Sequence, residues 1–352
     1  MVGGGPAGSS AAITMARAGV SVTLLERGRY DTWRVGEHLP PHAGFLLGEL
    51  GISPDRLDEA HAAAAGRNVR WGATFTEDYL SHPLGRGWFL DRALFDSDLA
   101  QRAAQAGANV RTGVRVTQVQ REEGGWHLTL DTGSARQRLR ASFLIEATGR
   151  SRIPGILRTE PRRALDRQIA IVQLLPPGEE IRYPWLHIEA APSGWWYRCP
   201  LPCGGYVVCH LTDPDLLGRT KEEQQRTWHG RLSETRTIMI SDQDTDLPLR
   251  RMAANSYLRD DVFEKDRLSI GDAIQGTDPL SGQGIVRALW MGRHGGEAVV
   301  GHLSGEADAL PSFAEKVQAG FRAYATERQR HYAEVRYWPQ SPYWFRRQFP
   351  GA

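Results

Sequence analysis

The chain has little cysteine, little lysine and no long apolar run. Its three cysteines, Cys199, Cys203 and Cys209, are too few and odd in number, which excludes a disulfide framework. Lysine occurs only at 221, 265 and 316, so the first 220 residues carry no primary amine side chain. Nearly all the basic charge is therefore arginine, a bias that fits a GC-rich coding sequence. No uninterrupted apolar stretch reaches the roughly 18–20 residues of a membrane span. No basic, greasy leader opens the chain, so a cytoplasmic protein without a membrane span is expected. The net charge of +2 gives no electrostatic case for nucleic acid as the main partner. At 352 residues and 41% hydrophobic, the chain has material for a large core, in one domain or two intertwined ones.

What is present begins at once. Gly3-Gly4-Gly5-Pro6-Ala7-Gly8 fits GxGxxG and runs into a helical stretch, Ala7 to Ala18. An alternating β-branched segment follows, Val20 to Leu25, and ends in Glu26. The early glycines permit a tight turn and close backbone approach to a pyrophosphate. The last lets helix and strand pack closely, and the helix start offers free N–H groups to phosphate. Glu26 stands 23 residues after Gly3, where an acid holds a ribose hydroxyl pair. Alone the glycines would be a weak signal; with helix, strand and acid in order they are a strong one. A strand of about 5–6 residues should precede Gly3, yet only Met1 and Val2 do. Further residues upstream are expected, and a chain starting here should lose cofactor binding or stability.

Other elements can be placed by pattern. Arg34 to Pro41 reads as a turn before an apolar helix from about Ala43 to Leu50. Val69 to Thr76 and Trp88 to Leu90 read as β structure. A helix opens at Asp91 and closes before Gly107, with Phe95, Leu99 and Ala103 at helical spacing. Strands are expected at Val114 to Arg121, Trp126 to Leu130 and Arg138 to Glu146. The middle, about Ile169 to Met252, reads as strands with turns and one polar helix from Lys221 to about Thr235. Further helices are expected from Ile285 to about Leu303 and from about Leu310 to Tyr332, before an aromatic, basic tail.

The ordered set carries more than any one motif. Gly36-Glu37, Arg92-x-x-Phe95-Asp96, Ala147-Thr148-Gly149, Gly271-Asp272 and Pro279-x-x-Gly282-x-Gly284 follow the first fingerprint. The whole resembles the FAD-dependent monooxygenases and halogenases with the p-hydroxybenzoate hydroxylase type of fold. Gly194-Trp195-Trp196-Tyr197, Leu211-Thr212-Asp213 and Trp338 to Trp344 look like one subgroup, the flavoproteins that mature protein-derived tryptophylquinone cofactors. There a tryptophan of a partner protein is thought to be hydroxylated.

The resemblance implies an α/β fold. A Rossmann-like FAD-binding domain would take residues 1–68, 91–165 and 262–310. An inserted, mostly antiparallel β-sheet substrate domain would take 69–90 and 166–261. A helical C-terminal segment with the aromatic, basic tail would take 311–352. The expected cofactor residues are Gly3, Gly5, Ala7, Gly8, Glu26, Arg27, Glu37, Arg92, Gly149, Asp272, Pro279, Gly282 and Gly284. By analogy Asp272 reaches the flavin ribityl. The loop and helix start after it face the ring's pyrimidine end, where negative charge gathers on reduction. The expected catalytic residues are His38, Trp195 and Tyr197. The implied chemistry is hydroxylation of an electron-rich aromatic ring by reduced FAD and O2, through a flavin C4a-hydroperoxide. It demands no strong side-chain acid or base. The substrate is an aromatic small molecule or a partner protein or peptide.

Three rivals stand beside it: a halogenase, a geranylgeranyl-reductase-like enzyme and a non-catalytic flavoprotein maturation partner. Halogenases carry W-x-W-x-I-P and a substrate-side lysine. Here Trp195-x-Tyr197-x-Cys199-Pro200 differs at two positions, and no lysine precedes Lys221. Arginine does not replace that amine. Thr148-Gly149 stands where direct NAD(P)H users carry Asp-Gly, so electrons come from NAD(P)H or from a separate flavin reductase. The cysteine spacing fits no common zinc pattern, so no metal is expected. His38 has two readings, substrate orientation or proton handling on one side and an ordinary hydrogen-bonded histidine on the other. The tail is expected to pack back onto the FAD domain, with partner or membrane docking as the alternative.

Overall fold

The computed structural model describes residues 1–156, 162–177, 184–240 and 247–349. The alternating segment becomes strand Thr23–Glu26, paired in parallel with Asn109–Thr112. On its other side lies the N-terminal stub. Val2 bridges Leu25 and Glu146, both in parallel. Its N–H donates to the Ile145 carbonyl at 2.9 Å, and that of Gly3 to Leu25 at 2.8 Å. The central place in the sheet is therefore held by the first three residues. Leu144–Glu146 pairs in parallel with Arg267–Ser269, and Phe263–Glu264 adds an antiparallel edge.

Helices cover one face of this sheet. Pro6–Arg17 and Gly284–Leu303 meet so closely that a Cβ on Gly292 would overlap the Ala7 carbonyl. A meander, Arg115–Glu122, Gly125–Asp131 and Arg136–Ala141, covers the other face. Its Val119, Trp126 and Leu128 pack with Val2, Leu25 and Leu144. One expectation needs correction here. Arg138 to Glu146 is not one strand: Arg136–Ala141 closes the meander, and Leu144–Glu146 enters the parallel sheet. The chain changes layer at 142–143, and the Leu144 N–H already donates to Asp266 at 2.9 Å.

The middle forms a seven-stranded sheet. Its order is Leu249–Ala253, Ile169–Leu175, Tyr206–Thr212, Gly194–Pro200, Trp185–Ala191, Gly66–Arg70 and Thr74–Asp78. All pairs are antiparallel except Trp185–Ala191 with Gly66–Arg70. The stretch expected at Val69 to Thr76 is thus a hairpin, and the boundary expected at 68/69 falls inside a strand. Strand alternation sends Trp195 to one face and Trp196 to the other. Trp196 stacks on His210, 4.3 Å between ring centroids, under Trp228 of helix Lys221–Leu232.

Helix Ala309–Glu334 joins both halves. Leu310, Phe313, Val317 and Phe321 pack on the parallel layer, whereas Tyr332 and Val335 pack on the seven-stranded sheet. The tail, expected on the FAD domain, packs on the seven-stranded sheet as well. Helix Pro342–Gln348 buries Tyr343 and Trp344 beside Trp71 and Trp195. Trp344 Nε1 donates to the Ala191 carbonyl at 2.9 Å, and Arg347 forks Asp213 at 2.7 and 3.2 Å. The last contact joins the basic tail to the Leu211-Thr212-Asp213 motif, which no local pattern connects. Among the described residues no helix is long and apolar enough to cross a membrane.

Candidate active site

A cavity of about 1140 Å³ lies between the parallel layer and the seven-stranded sheet. The residues singled out in the sequence line it together, all but Gly8. Gly8 sits behind the wall, where a Cβ would overlap the Gly3 carbonyl oxygen. The helix can therefore start flush against the turn only with glycine there. Gly3 itself has φ +105°, a left-handed conformation that side chains avoid. A Cβ on Gly5, Gly149 or Gly284 would meet no atom, so these backbones face open space.

One wall is built of satisfied charges. Glu26 accepts from the N–H groups of Gly4 at 2.8 Å and Gly28 at 2.9 Å. Arg34 reaches Glu26 at 3.3 Å and Asp96 at 3.0 Å. The Arg92 side chain is 11% exposed, and its guanidinium binds Asp96 at 3.1 Å and donates to the Val35 carbonyl. Gly36, at φ +103°, leaves room for that guanidinium. Asp272 pairs with Arg150 at 3.2 Å, and Arg150 also holds Asn255. Gly271 lies against Ala7.

The Pro279 to Gly284 loop is held from below. Asp278 Oδ1 accepts from Leu280 N–H at 3.0 Å, while Oδ2 binds Tyr332 at 2.7 Å and Arg328 at 3.2 Å. Arg34, Arg150, Asp278, Arg328 and Tyr332 were given no role from sequence. Most of their partners lie 50 or more residues away, as Arg34 with Asp96, Arg150 with Asp272 and Asp278 with Arg328 show, so no local signal marks those pairs. Arg27 is an exposed side chain at the cavity edge.

The opposite wall is aromatic and poorly satisfied. Trp195 is 1% exposed, and its Nε1 donates to Tyr332 at 3.1 Å. Tyr197 lies beside Cys209 and Glu37, and burial drives its phenol well above the ordinary range. His38 stacks near Tyr79, 5.9 Å between centroids. Neither of its ring nitrogens has a hydrogen-bond partner among the described residues, so the ordinary hydrogen-bonded histidine is not what is found. Burial lowers its pKa to about 3, with Arg67 and His42 adding positive charge. Glu37 is 3% exposed, and its Oε1 has no hydrogen-bond partner among the described residues. Burial raises its pKa to about 7 against the pull of nearby backbone N–H groups, Arg92 and the Tyr197 hydroxyl. Trp33 Nε1 is a further group on the wall with no hydrogen-bond partner among the described residues.

The family model described as FAD binding domain matches residues 1–309. Flavin-dependent halogenase armH3 of Armillaria mellea is 23% identical over 364 residues, 92% of this chain and 72% of its own length. Geranylgeranyl diphosphate reductase of Rhodobacter capsulatus is 27% identical over 337 residues, 91% of this chain and 78% of its own. Among solved structures, the peptidyl tryptophan dihydroxylase QhpG, essential for tryptophylquinone cofactor biogenesis, superposes with a TM-score of 0.81. It is 24% identical, covering 99% of this chain and 78% of that one. At that identity the likeness carries the fold.

Proposed function

The chain belongs to the FAD binding domain family, and from that footing we propose that this FAD-dependent enzyme hydroxylates an electron-rich aromatic ring. The observation that carries the reading is the wall facing the glycine loops. It is aromatic and contains no lysine among the described residues that line it. A halogenase, the reading that relatives such as armH3 favour, would place an amine there. The likeness to the dihydroxylase supports a tryptophan side chain on a peptide or partner protein as the substrate, with a free aromatic molecule as the simpler case.

The residues present fit FAD. Two helix starts, at Pro6 and Gly284, open onto one cavity through glycines whose backbones face free space. Gly3, Gly5, Ala7 and Glu26 would hold the nucleotide end, with Arg27 at its edge. Arg92, Gly149 and Asp272 would hold the chain between. Pro279, Gly282 and Gly284 would meet the ring. When bound, FAD supplies two-electron chemistry and, reduced, activates O2. The chain's own part is to place the substrate ring and keep water out. Tyr197 and Trp195 form the flat wall for that ring, and Tyr79 and His38 continue it. Thr148 in place of an acid supports reduction by a separate flavin reductase over direct NAD(P)H binding.

The test starts with FAD. The protein is mixed with it, freed of excess and read by visible absorption; a retained oxidised-flavin spectrum is expected. Reduced holoenzyme is then given O2, bromide and N-acetyl-tryptophan amide. Gain of one oxygen atom by mass is the expected outcome. Exchange of hydrogen for bromine would favour the halogenase. Reduction of a prenyl double bond without oxygen would favour the reductase.

A further inference from the structure

Every other acidic residue on the cavity wall has an arginine. Glu26 has Arg34, Glu77 has Arg67, and Asp96 has Arg34 and Arg92. Asp272 has Arg150, and Asp278 has Arg328. Among the described residues Glu37 has no such ion pair, although it is among the most buried of them. A carboxyl in that condition is costly to keep. Its backbone is nonetheless fixed: Gly36 turns at φ +103°, and the Glu37 carbonyl accepts from Leu90 N–H at 2.6 Å. The same segment touches both sides of the site. His38 Nδ1 lies 3.9 Å from where a Cβ on Gly282 would stand, at the loop assigned to the flavin ring. Tyr197, on the substrate wall, sits beside the Glu37 carboxyl.

We infer that Glu37 is a catalytic proton acceptor, taking the proton that a ring carbon of the aromatic substrate sheds as oxygen is added. The inference rests on the hydroxylation reading above. The balance is simple: ring C–H, O2, two electrons and two protons give ring C–OH and water. The reduced flavin supplies the electrons, and the O–O bond breaks as the C–O bond forms. The attacked carbon then carries both hydrogen and oxygen, and its C–H pair must return to the ring to restore aromaticity. The proton left over goes to Glu37, and from there back to the water being formed. Tyr197 is the positioning residue, steadying the carboxylate from the substrate side.

The surroundings suit the task. The groups facing Glu37 are Arg92 from helix Arg92–Gln105, Tyr197 and Cys199 on one strand, and Cys209 on the next. Burial keeps both thiols protonated. His38, its neighbour on the same segment, stays neutral. Arg92 is thus the cation in the set, balanced by its own bond to Asp96. A carboxyl that titrates near neutrality is matched to accepting and returning a proton at working pH.

The experiment has two arms, on FAD-loaded wild-type protein, Glu37→Gln and Glu37→Asp. Infrared difference spectra from pH 5 to 9 need no substrate. A protonated carboxyl band should fade with a midpoint near 7 in wild type and be missing in Glu37→Gln. If no such band titrates, or it survives in Glu37→Gln, the inference is wrong. In the second arm, reduced enzyme reacts with O2 and N-acetyl-tryptophan amide, and oxygenated product is counted per bound flavin. Glu37→Gln should lower it about 100-fold and flatten its rise through neutral pH, with part recovered in Glu37→Asp. Product at the wild-type level from Glu37→Gln overturns the base role alone. Absence of any oxygenated product from wild type overturns the hydroxylation reading, and this inference with it.

Discussion

Glu26 and Glu37 line the same cavity and are almost equally buried, at 6% and 3% exposure. They differ in how fully each carboxylate is paired, since Glu37 has backbone N–H groups, Arg92 and the Tyr197 hydroxyl nearby but no ion pair among the described residues. Glu26 has two backbone N–H donors and an arginine. Glu37 has a bare oxygen. The wall proposed to hold the nucleotide is preorganised, so an anion or hydroxyl pair bound there would find these groups already in place. The facing wall keeps polar groups unsatisfied, and an unsatisfied buried group lowers stability wherever it lies. A fold keeps such a group where its reactivity is needed. Satisfied charges belong to binding and bare ones to chemistry, and that division can be tested.

The largest effect should come from breaking a satisfied pair. Arg347→Met leaves the buried Asp213 with only the half-exposed Arg346. A loss of about 3 kcal/mol is expected in denaturant unfolding. Replacing Asp213 by Asn as well should return part of it.

Removing the bare acid should do the reverse, and only at the right pH. The folded-state pKa of Glu37 is raised from 4.5 to about 7. Its contribution is therefore fully present below pH 4.5 and lost as pH rises through 7. Wild type should lose about 3 kcal/mol over that window from this group, whereas Glu37→Gln should not. The unfolding midpoints of the two proteins should diverge between pH 4.5 and 7 and keep a constant separation above that. His38 acts in the opposite sense. Its pKa is depressed from 6.5 to about 3, so its contribution is lost as pH falls through that range. His38→Gln should flatten the acid limb and leave the alkaline limb alone. Equal curves for wild type and both variants would erase the contrast between the walls.

The smallest effect sharpens the comparison. Tyr197→Phe removes a hydroxyl that favours the charged form of Glu37. About 1 kcal/mol of stability is at stake. The midpoint of the Glu37 infrared band should move upward, by less than the shift that burial causes.

The glycine-rich wall of the cavity was legible because its signals are local. A glycine with positive φ, or one whose Cβ would strike a neighbouring carbonyl, is written into a few consecutive residues. Gly3, Gly36, Gly271 and Gly282 are of this kind. The helices were legible for the same reason: Asp91 caps the helix that starts at Arg92, and Gly107 follows its end. The split at 142–143 was not legible, since the segment carries no Gly or Pro break and only the two competing sheets divide it. The tail's destination was not legible either. It is set by Asp213 and Ala191, well over a hundred residues away.

By itself the sequence determined the family, the cofactor fold and the wall of glycines, because turns, caps and strand alternation depend on neighbours in the chain. Only the tertiary structure decided which of two similar glutamates is paired and which keeps an oxygen with no hydrogen-bond partner among the described residues. Burial and partners are properties of residues brought together from distant segments: Glu26 meets Arg34 within its own turn region, whereas Glu37 is buried by strands more than 150 residues on. The tail shows the same reason at larger scale, since Arg347 has no meaning until the sheet delivers Asp213 to it.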